Sequence, residues 1–220
     1  MYPRIKICCI KNIKEARLAI RYGASAIGLV GYMPSGPGVI DDELILKIAK
    51  SILPPISTFL LTSETSVDKI IKHHHITKTN TIQLVDQLNE GCFEQLRQAM
   101  PTIKLVQVIH IIDERSVEEA IKISLHVDAI LLDSGNPNLK TKVLGGTGKT
   151  HNWEISRKIK ENIKIPVFLA GGLNPENVRE AIEKVEPFGI DACSGVRTNG
   201  LLDEKKLKRF MQHARDLIEL

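Results

Sequence analysis

The chain has 220 residues, enough to bury a full core, and its 30 basic and 26 acidic residues leave a net charge of +4. With no basic block anywhere, that balance excludes a nucleic-acid arm and fits a phosphate-bearing metabolite better. Apolar runs are broken by Gly, Pro or charge within about eight residues, well short of the roughly eighteen that a membrane span needs, so no membrane partner is expected.

Along the chain, short runs rich in Ile, Val and Leu alternate with segments whose apolar residues recur three and four apart. The runs at 5–10, 26–32, 56–62, 81–85, 104–111, 129–134, 166–172 and 189–195 predict strands. The segments at 12–22, 41–52, 66–75, 90–100, 116–126, 153–162, 175–185 and 203–220 predict helices. Asp41 or Asp42 opens the second helix, Gly23 stops the first, and Asn174-Pro175-Glu176 sets a cap before a first-turn proline. Strands apolar on both faces belong to a parallel sheet. Eight βα units of roughly 27 residues each, with no linker between them, predict one domain over 1–220: an α/β fold, a closed (β/α)8 TIM barrel.

In such a barrel the working residues lie at the C-terminal ends of the strands and in the loops that follow. On the first strand, Lys6 and Cys8 share a face. A thiol beside an amine can have its pKa lowered and act as base or nucleophile, or it can be a small core residue, the expectation for Cys9 on the other face. Asp133 ends an otherwise apolar strand, where burial suits a carboxyl to donate a proton, or where it caps the following loop. Gly145–Thr150 does not form a nucleotide-triphosphate loop, because Val143 stands where the leading glycine is required. The long connection at 135–152 reads as a lid over a mouth. Gly171-Gly172-Leu173 and Cys193-Ser194-Gly195-Val196 are either simple turns or a two-loop cup whose backbone N–H groups hold a phosphate. His73-His74-His75 points in three directions and reads as a solvated helix end, and no metal site is expected. His110 ends the fifth strand, as a functional or a structural histidine. None of the four cysteines (Cys8, Cys9, Cys92, Cys193) forms a Cys-x-x-Cys pair and no signal peptide opens the chain, so a reducing cytoplasm is expected.

Lys6-Ile7-Cys8, Gly23-Ala24 with Ala26-Ile27-Gly28, Leu131-Leu132-Asp133, Gly145-Gly146-Thr147-Gly148-Lys149-Thr150-x-x-Trp153, residues 170–178 and Asp191-x-x-Ser194-Gly195-Val196 together resemble the phosphoribosylanthranilate isomerase family of tryptophan biosynthesis. The resemblance runs from the first strand to the last. It implies a (β/α)8 isomerase that needs no cofactor and acts on a small phosphorylated sugar by an Amadori rearrangement; a monomer or homodimer is expected. By the same resemblance Asp133 is the general acid that opens the ribose ring and Cys8 the general base at C2. Gly172, Asn174, Ser194 and Gly195 cradle the phosphate, and Lys6 belongs to the substrate-binding set.

Four departures from the family pattern stand out. Cys9 replaces the glycine of Lys-Ile-Cys-Gly-Ile, and Pro34-Ser35-Gly36-Pro37-Gly38 lacks the arginine of Ser-Pro-Arg that pairs with the anthranilate carboxylate. Gln83-Leu84-Val85-Asp86 replaces Gln-Leu-His-Gly, and Cys193-Ser194-Gly195-Val196-Arg197 replaces Ser-Ser-Gly-Val-Glu. One arginine is lost and another arrives near the same mouth, so Arg197 is expected to supply the carboxylate contact from the other side, the alternative being a surface arginine paired with Asp203 or Glu204. Two other functions compete: the same acid–base pair acting on another phosphorylated aminosugar, and a catalytically silent barrel that binds a phosphometabolite.

Overall fold

A computed structural model describes residues 2–135 and 150–216. The predicted lid, with Lys149, falls almost wholly outside the described residues. Eight strands, Arg4–Ile7 (β1), Ala26–Val30 (β2), Ser57–Thr62 (β3), Thr81–Leu84 (β4), Lys104–His110 (β5), Ala129–Asp133 (β6), Val167–Leu169 (β7) and Gly189–Ala192 (β8), pair in chain order, and β8 closes on β1. Every pairing within the barrel is parallel. The helices are Ile13–Arg21 (α1), Asp42–Ser51 (α2), Val67–Thr77 (α3), Phe93–Ala99 (α4), Arg115–Ile123 (α5), Trp153–Asn162 (α6), Val178–Val185 (α7) and Glu204–His213 (α8). The predicted barrel is thus present, with its strands and helices in the predicted order.

Alternation along the strands separates two cores. Ile7, Ile27, Leu29, Leu60, Ile82 and Ile130 face outward and pack under the helices, whereas Ala26, Phe59, Val106, Leu131 and Phe168 fill the barrel interior. Both faces being buried is why the strands read as unbroken apolar runs. Near the lower end Phe59 and Phe168 meet edge-on at 6.0 Å, and Gly189 leaves room for Phe168, whose Cε1 would lie 2.5 Å from a Cβ there. The polar side chains that line the cleft, Gln83, Asp133 and Asp191, stand toward the strands' C-terminal ends.

Helix starts follow the expected capping chemistry. Asn12 accepts from Glu15 N at 2.9 Å and Asp41 from Leu44 N at 2.7 Å. Gly23, at φ 96, follows α1 as predicted. Differences cluster at the mouth. The first strand ends at Ile7 rather than residue 10, because Cys9 turns at φ 60. The seventh helix starts at Val178, since Asn174 Oδ1 accepts from Glu176 N (2.8 Å) and Asn177 N (3.1 Å) and spends Pro175 and Glu176 in a turn. Between β8 and α8 stand an unpredicted 3₁₀ turn, Ser194–Val196, and a hairpin of Arg197–Thr198 (β9) with Leu201–Leu202 (β10).

Candidate active site

A cleft opens at the C-terminal ends of the strands. Its floor and one wall are Cys8, Gln83, Asp133 and Asp191; the Gly171–Gly172 turn and Ser194 line one side, and Met33, Ser35, Gly36 and Pro37 of the loop after β2 line another. Of the residues expected to act, Cys8, Asp133, Gly172 and Ser194 meet in this one space. Lys6, Asn174, Gly195 and Arg197 are not part of its lining.

Lys6 is fully buried below the cleft. Its Nζ donates to Asp191 Oδ2 at 2.7 Å and lies 5.2 Å from the centre of the Phe59 ring. Burial works against the ammonium, but Asp191 and then Cys8 more than offset it, and Lys6 keeps its charge. Lys6, expected in the substrate-binding set, thus has its amine on Asp191, its register partner across the β1–β8 pair, and does not line the cleft. The thiol expectation is corrected. Burial pushes Cys8 up to about 11; the Lys6 charge pulls the other way without prevailing, and Asp191 adds to the rise. Lys6 and Cys8 both crowd the Cα of Gly28, where an added Cβ would come within 2.8 Å of Cys8 Sγ and 3.2 Å of Lys6 Nζ.

Asp133 shows the opposite fitness. Burial raises its carboxyl above the ordinary range, the charge of Asp191 adds to this, and the Ser134 N–H at 2.7 Å and His110 oppose it. A carboxyl so placed keeps its proton to a higher pH than an exposed one. His110 stands opposite Asp133 in the β5–β6 register, fixed by Nε2 to Val85 O at 3.1 Å.

The two glycine loops press on one another. Gly171 and Gly172 have φ 79 and 64, and Gly195 packs so closely that a Cβ on it would lie 2.0 Å from Leu173 O. Asn174 builds this arrangement rather than facing the cleft: its Nδ2 donates to Gly172 O (3.3 Å), its Oδ1 accepts two turn N–H groups, and its own N–H donates to Asn177 Oδ1 (2.9 Å). Its carbonyl also accepts within the turn, from Asn177 N (3.3 Å) and Val178 N (3.1 Å), so the residue expected to contact phosphate is bonded mainly into its own loop and does not line the cleft.

Arg197, expected to meet the substrate carboxylate, also stands away from the cleft. It is buried, with Nη1 on both Glu15 oxygens (3.1 and 3.2 Å) and on Gly200 O, and Nη2 on Glu15 Oε2, Cys8 O (3.1 Å) and Cys9 O (2.6 Å). It reaches neither the cleft nor Asp203 or Glu204; Asp203 instead caps α8. Among the described residues the cleft lining holds no Lys or Arg. Cys9, expected as a core thiol on the outer face, is joined to Cys193 at a Cα separation of 6.0 Å, and both line the cleft. Of the three histidines, His73 links Thr62 Oγ1 and Asp42 Oδ1 at 3.0 Å each and His74 is buried on Thr79 O, so only His75 matches a solvated end. Among the described residues there is no cluster of three or more His, Cys, Asp or Glu fit for a metal ion, and no helix long and apolar enough to cross a membrane. Sequence reasoning missed Asp191 as a site residue, although a buried lysine on β1 requires an anion on an adjacent strand.

A family model described as N-(5'-phosphoribosyl)anthranilate (PRA) isomerase matches residues 6–213. The chain belongs to the PRA isomerase family. The PRA isomerase 2 of Methanosarcina mazei is 38% identical over 97% of this chain and 94% of its own. The crystal structure of the PRA isomerase from Thermotoga maritima superposes with a TM-score of 0.81 at 31% identity, over 98% of this chain and 100% of that one. A further PRA isomerase structure, a complex with reduced 1-(o-carboxyphenylamino)-1-deoxyribulose 5-phosphate, superposes at 0.78 with 28% identity over 98% and 100%. Set against the PRA isomerase pattern, the chain's departures at Cys9, Cys193 and Arg197 all lie where β8 meets β1, and the structure bonds each to another part of that corner.

Proposed function

We propose that this chain converts N-(5-phosphoribosyl)anthranilate to 1-(2-carboxyphenylamino)-1-deoxyribulose 5-phosphate with Asp133 as general acid and Cys8 as general base. The reading is carried by one observation: a buried carboxyl, a thiol, the Gly171–Gly172 turn and Ser194 line a single cleft. Asp133 gives its proton to the ribose ring oxygen as the C1–O bond breaks, and the nitrogen lone pair forms the iminium. That cation acidifies the C2–H bond. It also brings the thiol the unpaired positive charge that Lys6, neutralised by Asp191, does not offer, and so favours the thiolate that removes the C2 proton. The resulting enolamine tautomerises to the ketone. Backbone N–H groups of Gly172, Ser194 and Gly195 hold the phosphate, and Asn174 shapes their loop. The chain works as a single-domain, cofactor-free enzyme of the cytoplasm, a monomer or homodimer; the relative from Thermotoga maritima is described as dimeric.

The described lining offers no cation to the anthranilate carboxylate, and this favours one competing substrate class, another phosphorylated aminosugar handled by the same acid and base. Purified protein should convert N-(5-phosphoribosyl)anthranilate and rescue a tryptophan auxotroph that lacks the isomerase, and Asp133→Asn should lower kcat by at least about a hundredfold. No turnover and no rescue by well-expressed, folded protein would favour the competing substrate. Full activity of both Asp133→Asn and Cys8→Ser would remove the acid–base assignment.

A further inference from the structure

Cys9 and Cys193 have no part in the proton transfers, yet they are joined where three walls of the cleft meet. Cys9 follows the proposed base directly, and Cys193 directly precedes Ser194 and its 3₁₀ turn. Cys9 sits at φ 60, a conformation suited to glycine, and its carbonyl is held by Arg197 Nη2 at 2.6 Å. Gly38 of the loop after β2 approaches so closely that a Cβ there would be 2.5 Å from Cys9 Cβ. A change at this pair therefore reaches the base, the phosphate turn and the opposite loop together. Cys9 is only 5% exposed whereas Cys193 is half-buried at the rim, which makes Cys193 Sγ the point of entry.

We propose that Cys9 and Cys193 form a reversible thiol–disulfide modification site for small thiols and disulfides of the glutathione type, whose bonded form preorganises the phosphate cradle. This rests on reading the Ser194 turn as the phosphate site. In the forming direction the Cys193 thiolate attacks one sulfur of the small disulfide and expels a thiolate; the Cys9 thiolate then attacks Cys193 Sγ and expels the second. Two protein thiols become one disulfide, one small disulfide becomes two thiols, and the two protons pass to those thiols. In the reducing direction a small thiolate enters at Cys193 and Cys9 leaves; a second small thiolate then attacks the small sulfur of that mixed disulfide, freeing Cys193 and one small disulfide.

The test equilibrates the whole chain in defined mixtures of reduced and oxidised glutathione, traps thiols by alkylation and locates the linked peptides by mass spectrometry. Kinetics on N-(5-phosphoribosyl)anthranilate and the affinity for inorganic phosphate are measured on the same samples. The Cys9–Cys193 peptide should follow the glutathione ratio, and KM and the phosphate Kd should rise about three- to tenfold on reduction, the effect of re-ordering one or two loop residues at binding. Cys9→Gly, which suits φ 60, and Cys193→Ser should each remove the dependence on the ratio. A linked peptide that comes and goes with constant KM and Kd, or no such peptide at any ratio, overturns the proposal. Absence of turnover in every sample counts against the functional reading alone, and phosphate affinity then still decides the redox dependence.

Discussion

Replacing Arg197 by Met distinguishes a structural clamp from a substrate-binding cation. Its guanidinium joins α1 to the end of β8 through Glu15 and to the end of β1 through the carbonyls of Cys8 and Cys9. Glu15 is 7% exposed and also accepts from Lys11 N and Leu202 N, each at 3.0 Å. Burial works to raise its carboxyl, and Arg197 with the Leu202 and Lys11 N–H groups holds it below the usual range, so the clamp is intact at neutral pH and is lost only as pH falls through that lowered value. Removing one partner of a buried pair costs about 3–5 kcal/mol, because the other charge is left unpaired. For a chain of this length each kcal/mol moves Tm by about 2–4 °C, so the Met variant should melt about 6–20 °C lower. Glu15→Gln combined with Arg197→Met should recover part of that loss by removing the orphaned charge. In kinetics, the proposed base Cys8 loses the contact that fixes its carbonyl, and kcat should fall about ten- to a hundredfold with KM nearly constant. Thermal melts and steady-state kinetics on the same preparations decide the matter. An unchanged Tm with a KM raised tenfold or more would refute the clamp and return Arg197 to the substrate.

The pH profile of kcat/KM, corrected for substrate ionisation, should rise through a carboxyl limb above the ordinary Asp range, stay flat, and fall only toward about 11, where Cys8 ionises. The active form, acid protonated and base deprotonated, is a constant minority between the two values, so a decline centred near pH 8 would contradict the buried-thiol state. Gly28→Ala places a methyl 2.8 Å from Cys8 Sγ, and kcat should drop at least about tenfold while the fold survives; wild-type kcat in a folded variant would show that the thiol's placement is immaterial. Gly195→Ala forces the two glycine loops apart against Leu173 O, and KM should rise about tenfold or more, measured beside inorganic phosphate affinity; unchanged values would separate this corner from phosphate binding.

The barrel was legible because its cause is local: each strand carries its own double-faced apolar pattern and each helix its own cap. The cleft was legible where a functional group stands at a strand end, as with Asp133, or where a backbone demands glycine, as at Gly171–Gly172. Arg197 was not, because its partner Glu15 lies 182 positions away and no period or motif links them. The thiol pKa escaped for a related reason. Lys6 beside Cys8 suggested a lowered value, but burial of the thiol outweighs the ammonium and Asp191 adds to the rise, and both the burial and Asp191 arrive only when β8 closes on β1.

That same closure explains why the departures from the PRA isomerase pattern belong together. A cysteine at φ 60 is unfavourable by about 1–2 kcal/mol where glycine would be at ease. It persists because its neighbours over-determine it: Arg197 holds its carbonyl, Cys193 its sulfur, and Gly38 gives its Cβ room. Arg197 in turn is tolerable under the cleft only because Glu15 neutralises it. Each substitution taken singly would leave a buried charge, an orphaned thiol or an unsupported left-handed residue. Taken together they form one bonded corner that leaves Asp133, Cys8 and the glycine loops in a common cleft. The changes at Cys9, Cys193 and Arg197 thus alter how the β1–β8 corner is held, and the cost of reverting one of these three alone should exceed that of reverting all three.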